Sequence, residues 1–194
     1  MAATKRIKIN KTPGSDSITN RIIKAGGEPL ARILHGLFQQ LWTWGCTPRS
    51  WSRVLVNPIH KGKKKDKLDP SSYRGIALSS ALAKTFEIIV DQRLEEDTRI
   101  RNICTSKQFG SKRGNSCSDA MHPFLSHIEQ ERQAGRPVHC AMIDFETAFP
   151  SVSRAQLYHQ LRQNGIKGNI LRIIKSLTKE HSVRVLHPDI DENE

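Results

Sequence analysis

Apolar residues recur at helical spacing along much of the chain. Leu30, Ile33, Leu34, Leu37, Phe38, Leu41 and Trp42 fall at offsets 0, 3, 4, 7, 8, 11 and 12, the spacing of one helical face. Pro29 suits the first turn of this helix and Gly45 its end. Leu82, Phe86, Ile89, Val90 and Leu94 predict a second helix capped by Ser79 or Ser80, and Ala120, Met121, Phe124, Leu125 and Ile128 a third behind Ser116 or Ser118. Ser153-Arg-Ala-Gln156 has the form of a capping box, with Leu157 and Leu161 on one face and Gly165 as a stop. Ile170, Ile173, Ile174 and Leu177 add a short helix.

Other stretches read as strands and turns. Val54-Leu55-Val56 predicts a short strand, followed by the loop Lys61-Gly-Lys-Lys-Lys-Asp-Lys67, too charged to be a core element and expected to be a mobile, solvated hairpin tip. Val138-His-Cys-Ala-Met-Ile143, bounded by Gly135 and Pro137 on one side and Asp144 on the other, predicts a buried strand. Ser182-Val-Arg-Val-Leu186 alternates like the opening of another strand, before the acidic end Asp189-Ile-Asp-Glu-Asn-Glu194. No internal repeat, low-complexity tract or linker interrupts this order.

Composition narrows the class. Of 194 residues, 37% are hydrophobic and 26% charged, which suits a globular chain of one domain or a domain and a half. No apolar run exceeds four residues, against the ~18 that a spanning helix needs, and no apolar h-region follows the basic start. A non-membrane, non-secreted chain inside the cell, in cytoplasm or nucleus, is the expectation. Cysteines 46, 104, 117 and 140 show neither Cys-x-x-Cys pairing nor zinc-ligand spacing and are expected to be ordinary buried thiols. The eight histidines likewise form no ligand spacing.

Charge changes the picture further. The net charge is +12, and residues 1–75 hold 15 Lys/Arg against 4 Asp/Glu while the remainder holds 16 against 15. A positive field concentrated in one half points to a polyanionic partner, nucleic acid ahead of acidic lipid. Within it, Lys61, Lys63, Lys64, Lys65, Lys67 and Arg74 are candidates for phosphate contact without sequence specificity, the alternative being a loop that only aids solubility. Asp144 is the carboxylate to weigh, because one at the end of a buried strand needs a cation or several donors. It reads either as a cap on the turn, which local sequence favours, or as a ligand for a hard divalent ion at a phosphoryl-transfer site. No phosphate-loop, dinucleotide or serine-hydrolase motif is present.

Six segments then follow in a telling order: Lys11-Thr-Pro-Gly-Ser-Asp16; Pro48-x-x-Trp51 with Val54 to Lys61; Tyr73-Arg-Gly-Ile-Ala-Leu78; Lys84-x-Phe86 with Arg93-Leu94; Gln108-Phe-Gly-Ser-Lys-Arg-Gly114; and Ile143-Asp-Phe-Glu-Thr-Ala-Phe149. Together they resemble the N-terminal part of the reverse transcriptase domain of non-LTR (LINE-type) retrotransposons. The matching patterns are Lys-x-Pro-Gly-x-Asp, Pro-x-x-Trp…Pro-Ile-x-Lys, Tyr-Arg-x-Ile-x-Leu, Lys-x-Phe…Arg-Leu, Gln-x-Gly-Phe-Arg-x-Gly with Phe109 and Gly110 in changed order and spacing, and motif A, Asp-x-x-x-Ala-Phe. The resemblance implies an α/β (α+β) fold, with mixed helices and a small antiparallel sheet. Fingers would occupy about 1–135, the start of the palm, whose antiparallel sheet begins at strand 138–143, about 136–188, and an acidic tail 189–194.

By the same resemblance Asp144 would be the first metal-binding aspartate, holding Mg²⁺ or Mn²⁺; strand alternation puts Glu146 on the same face, past the strand end, as the one other carboxylate expected there. Phe149 would press on the sugar of an incoming dNTP, and Lys61 and Arg74 would hold its triphosphate. RNA template and DNA primer are the implied partners. Two departures follow. Pro150 stands where the family usually has Asp, and nothing after residue 186 resembles motif B, the Asp-Asp box or the thumb. The expectation is therefore a fragment of an RNA-directed DNA polymerase that is not catalytically competent alone, binding its metal weakly. The alternative is a truncated or domesticated, non-catalytic nucleic-acid-binding remnant.

Overall fold

A computed structural model describes residues 2–62, 64–100, 105–145, 148–179 and 182–186. Its core is built on two long helices, α3 (Gly27–Trp44) and α4 (Ala81–Ile100), preceded by the short α1 (Ala2–Arg6) and α2 (Asn20–Ala25). From α3, Leu34, Phe38 and Leu41 are buried, with Leu30 and Trp42 partly so, whereas Ile33 and Leu37 of the same apolar set face solvent. From α4, Phe86 and Val90 meet them. A 3₁₀ turn over Arg49–Ser52 inserts Trp51 between the helices. Phe38, Trp51 and Phe86 then form an aromatic triangle with ring centroids 5.2, 5.8 and 6.5 Å apart, distances at which such pairs add roughly 0.5–1.5 kcal/mol each beyond area burial.

The helix ends follow local chemistry. Gly45 takes a left-handed conformation (φ 68°) and its N–H closes α3 onto the Leu41 carbonyl, the αL termination that glycine reaches without penalty. Ser80, not Ser79, caps α4: its hydroxyl accepts from Leu82 and Ala83 N–H. Ser116 caps α5 (Cys117–Gln133) in a reciprocal box with Asp119, and Ser153 caps α7 (Arg154–Gln163) by accepting from Gln156 N–H. The four-residue α6 (Ala148–Ser151) precedes α7. α8 (Gly168–Leu177) buries Leu171 and Ile173 and packs on α3, α4 and α7.

Strands β1 (Arg53–His60) and β2 (Tyr73–Leu78) form the expected antiparallel hairpin, from Leu55 opposite Leu78 to His60 opposite Tyr73. The alternating segment 182–186 supplies β3 (Ser182–Val185), which adds to β1 in parallel, giving the order β2-β1-β3. The small sheet is therefore mixed, and its third strand comes from the far end of the chain.

The expected buried strand at 138–143 is not formed. That segment has no strand pairing, and Met142 and Ile143 are 86% and 83% exposed. An apolar run becomes a strand only where a neighbouring strand accepts its backbone hydrogen bonds, and no described residue does so here. The antiparallel palm sheet expected to start there is accordingly absent among the described residues. The cysteines also depart from expectation: Cys46, Cys117 and Cys140 are exposed, because they lie after the end of α3, at the start of α5 and on that unpaired segment, while Cys104 is outside the described residues. The acidic end 189–194 lies outside them as well.

Candidate nucleotide and nucleic-acid site

The hairpin places its cations by strand alternation. Register puts Ile59 opposite Arg74, and the Lys61 N–H donates to the Ser72 carbonyl at 2.8 Å. Lys61 and Arg74 therefore lie on one face of the two-stranded ribbon. Arg184, paired with Leu55 in β3, belongs to that same face; the sequence had not singled it out, since only the parallel addition of β3 brings it there. Lys61 Nζ donates to the Ser71 carbonyl at 2.7 Å, which leaves two of the three ammonium N–H groups for another acceptor. Arg74 is exposed, with its guanidinium fork unpaired among the described residues.

The connecting loop is more ordered than its charge suggests. Asp66 accepts from Leu68 N–H, Asp69 from the N–H and hydroxyl of Ser71, and the Tyr73 hydroxyl donates to the Lys67 carbonyl. The Ser71 hydroxyl and N–H hold the Asp69 carboxyl below its ordinary value, with smaller help from Lys65 and Lys61. These turns project Lys64, Lys65 and Lys67 into solvent, as the sequence led one to expect; Lys63 lies outside the described residues. At the base of the loop His60 Nδ1 accepts from Gly62 N–H, its ring meets Tyr73 edge-on, and its buried Nε2 has no partner.

The carboxylate half of the site is arranged differently. Asp144 is exposed and has no hydrogen-bond or ion-pair partner among the described residues. Phe149, on α6, is 90% exposed, and Glu146 lies outside the described residues. No group of three His, Cys, Asp or Glu side chains gathers to hold a metal among the described residues. Thus Lys61 and Arg74 are brought together, while Asp144 and Phe149 stand on segments whose side chains face solvent. No described helix is long and apolar enough to cross a membrane.

Comparison with known proteins gives the site its context. Residues 61–188, which include Lys61, Arg74, Asp144 and Phe149, match the reverse transcriptase (RNA-dependent DNA polymerase) family. The chain is 30% identical over 152 residues to a probable RNA-directed DNA polymerase from transposon BS of Drosophila melanogaster, covering 77% of this chain and 16% of that protein. It is 31% identical over 162 residues to a putative 115 kDa protein in the type-1 retrotransposable element R1DM of the same fly, covering 84% and 15%. A 23% identity over 186 residues to the RNA-directed DNA polymerase from mobile element jockey covers 96% and 20%. The chain thus spans 15–20% of the length of these curated relatives. Matched over most of its length, the chain belongs to the reverse transcriptase family and corresponds to the N-terminal part of such a domain of the non-LTR retrotransposon type.

Proposed function

We propose that these residues form the fingers, about 1–135, and the first palm segment, about 136–188, of an RNA-directed DNA polymerase that acts inside the cell on an RNA template, a DNA primer and dNTPs. The observation that supports this reading is the family match over 61–188, which contains every residue assigned to the nucleotide. On this reading Lys61 and Arg74 grip the triphosphate from one ribbon face, Lys61 as a point charge and Arg74 through a bidentate fork. Phe149 lies against the sugar. Lys63, Lys64, Lys65 and Lys67 neutralise backbone phosphates.

Reverse transcriptases generally use divalent metal ions, which in a two-ion arrangement steady the attacking and leaving oxygens of an in-line displacement. The donor set described here fits less than that. Asp144 offers a solvent-facing carboxylate, and no second or third ligand joins it among the described residues. A single carboxylate suits a hydrated Mg²⁺ or Mn²⁺ bound no better than millimolar, with most of the ion's ligands remaining water. One described carboxylate against the four positive charges of two ions, and the unpaired 138–145 segment, both support the reading that these 194 residues do not polymerise by themselves. Misplacement of reacting groups by ~1 Å already costs about 10²-fold.

The second reading, a non-catalytic nucleic-acid-binding remnant, is favoured by the concentration of positive charge in residues 1–75 and by Pro150 in place of the usual Asp. One experiment separates the two. The 194-residue chain is mixed with primed RNA template, dNTPs and Mg²⁺ or Mn²⁺, alone and with a longer polypeptide supplying the downstream domain. No extension alone, with extension restored by the longer polypeptide and lost on Asp144→Ala, supports the fragment reading. Nucleic-acid binding without restorable extension supports the remnant. Asp144-dependent extension by the chain alone would overturn the incompetence of the isolated chain.

A further inference from the structure

His60, at the end of β1, has no part in the nucleotide site described above. It stands at the open position of the Pro-Ile-x-Lys pattern, so the residue found there is particular to this chain. Strand alternation turns its ring away from Lys61, onto the face where its register partner Tyr73 meets it edge-on with ring centroids 5.1 Å apart. His60 therefore does not face the ligand that Lys61 would hold. It reaches Lys61 only through the main chain.

That route is short. His60 Nδ1 accepts from Gly62 N–H at 3.3 Å, a bond of the Asx-turn kind in which a side chain holds the backbone two residues on. Lys61 is the residue enclosed by this ring, and its own N–H donates to the Ser72 carbonyl at 2.8 Å. The peptide groups on both sides of the Lys61 Cα are thus tied, one to the partner strand and the other to His60. Beyond them Gly62 turns the chain at φ 129°, a conformation that glycine reaches freely, and its carbonyl accepts from Lys65 N–H at 3.2 Å. Without the bond to His60, the peptide that follows Lys61 is free to swing with the loop.

The hydrogen bond also fixes the state of the ring. A backbone N–H only donates, so Nδ1 carries no proton and the proton of the neutral imidazole sits on Nε2. There it is buried with no acceptor among the described residues, a penalty that an apolar ring of similar shape would avoid. The chain keeps the Nδ1 acceptor although it leaves a donor unmet.

We infer, on the nucleotide reading above, that His60 is a positioning residue for Lys61. Its unprotonated Nδ1 locks the main chain around Lys61, so that the ammonium, resting on the Ser71 carbonyl at 2.7 Å, meets a triphosphate in one geometry beside Arg74. Loss of that lock widens the set of conformations that Lys61 gives up on binding, which weakens affinity with no contact to the ligand removed.

The test titrates dTTP into the 194-residue chain and follows the amide NMR signals of Lys61, Gly62 and Arg74. Nitrogen NMR of the His60 ring is recorded on the free chain at about pH 8, above the ordinary histidine range, and should show a bare Nδ1 and a protonated Nε2. His60→Phe keeps a ring against Tyr73 and removes the acceptor, whereas His60→Asn puts an amide oxygen where Nδ1 stood. His60→Phe should weaken dTTP binding about fivefold, the worth of one net hydrogen bond, and His60→Asn should restore the parent's affinity. Parent affinity in His60→Phe overturns the positioning role and leaves the nucleotide reading standing. Equal weakening by both variants also overturns it, as ring packing would then be the cause. A proton found on Nδ1 overturns it without any substitution, since such a ring cannot accept from Gly62. A parent chain whose Lys61 and Arg74 signals do not respond to dTTP overturns both the inference and the nucleotide reading.

Discussion

Residues 27–44 and residues 117–133 are both amphipathic helices, the first closed by Gly45 at its C-terminus and the second opened by the Ser116–Asp119 box, yet they fare differently. α3 buries Leu34, Phe38 and Leu41 against α4, Trp51 and α8, whereas no side chain of α5 is buried and its Met121 and Leu125 stay exposed. The stretch that follows α5 shares this state, with Met142, Ile143 and Phe145 facing solvent. Residues 105–116 are nevertheless tied to α4 through Arg113, 3.3 Å from Glu95 and 3.9 Å from Asp91. Periodicity says that a helix has a face to bury; it does not supply the surface that buries it. Residues of the first hundred and of α8 close one core, whereas among the described residues neither α5 nor 138–145 buries a side chain.

The comparison breaks if substitutions in the two regions cost the same. Phe86→Ala removes one of the three rings of the aromatic triangle, at a position 1% exposed, and should cost about 3–5 kcal/mol in denaturant unfolding. Gly45→Ala forces an alanine into the left-handed region, with its Cβ 2.7 Å from Arg172 Nε, and should cost about 1–2 kcal/mol. Ser80→Ala takes the cap from a buried helix start and should cost about 1 kcal/mol. Met142→Ser and Ile143→Ser, each a comparable chemical insult, should stay within about 0.5 kcal/mol. A loss above ~2 kcal/mol at either position, in the range reserved for buried side chains, would show that the 138–145 segment is packed in solution.

The smallest effect sharpens the comparison at the start of α5. Asp119 accepts hydrogen bonds from the Ser116 hydroxyl and N–H, which hold its carboxyl below the ordinary value of 3.8. A carboxyl lowered on folding contributes stability that is fully present above 3.8 and is lost as pH falls through its folded value. Carboxyl NMR should therefore find Asp119 titrating below 3.8, with the helical shifts of 117–121 fading at lower pH. Titration at or above 3.8 would mean that the box is open in solution, and that α5 lacks its terminal anchor as well as a buried face.

Much of this was legible in the sequence because it depends on neighbours along the chain. Ser116 with Asp119, Ser153 with Gln156 and Gly45 after Trp44 act within one turn of a helix, so the helix ends follow from a few adjacent residues. The charged stretch 61–67 had to be a solvated hairpin tip, and the order of motifs from Lys11 to Phe149 was enough to place the chain in its family. Short elements with little periodicity, α1 and α2, were not visible, because what fixes them is Ile7, just after α1, and Ile23, on α2, reaching a core formed by distant residues.

Tertiary structure decided the rest. The apolar run at 138–143 and the alternating 182–186 both read as strands, yet of the two only 182–185 forms one, because β1 offers it an edge and nothing described offers one to 138–143. Which lysines share a surface was equally undetermined. Lys61 and Arg74 meet through hairpin register. Composition sets how much charge a chain carries and local pattern sets where an element begins. Pairing and burial are properties of two surfaces at once, and only the folded chain brings the second surface.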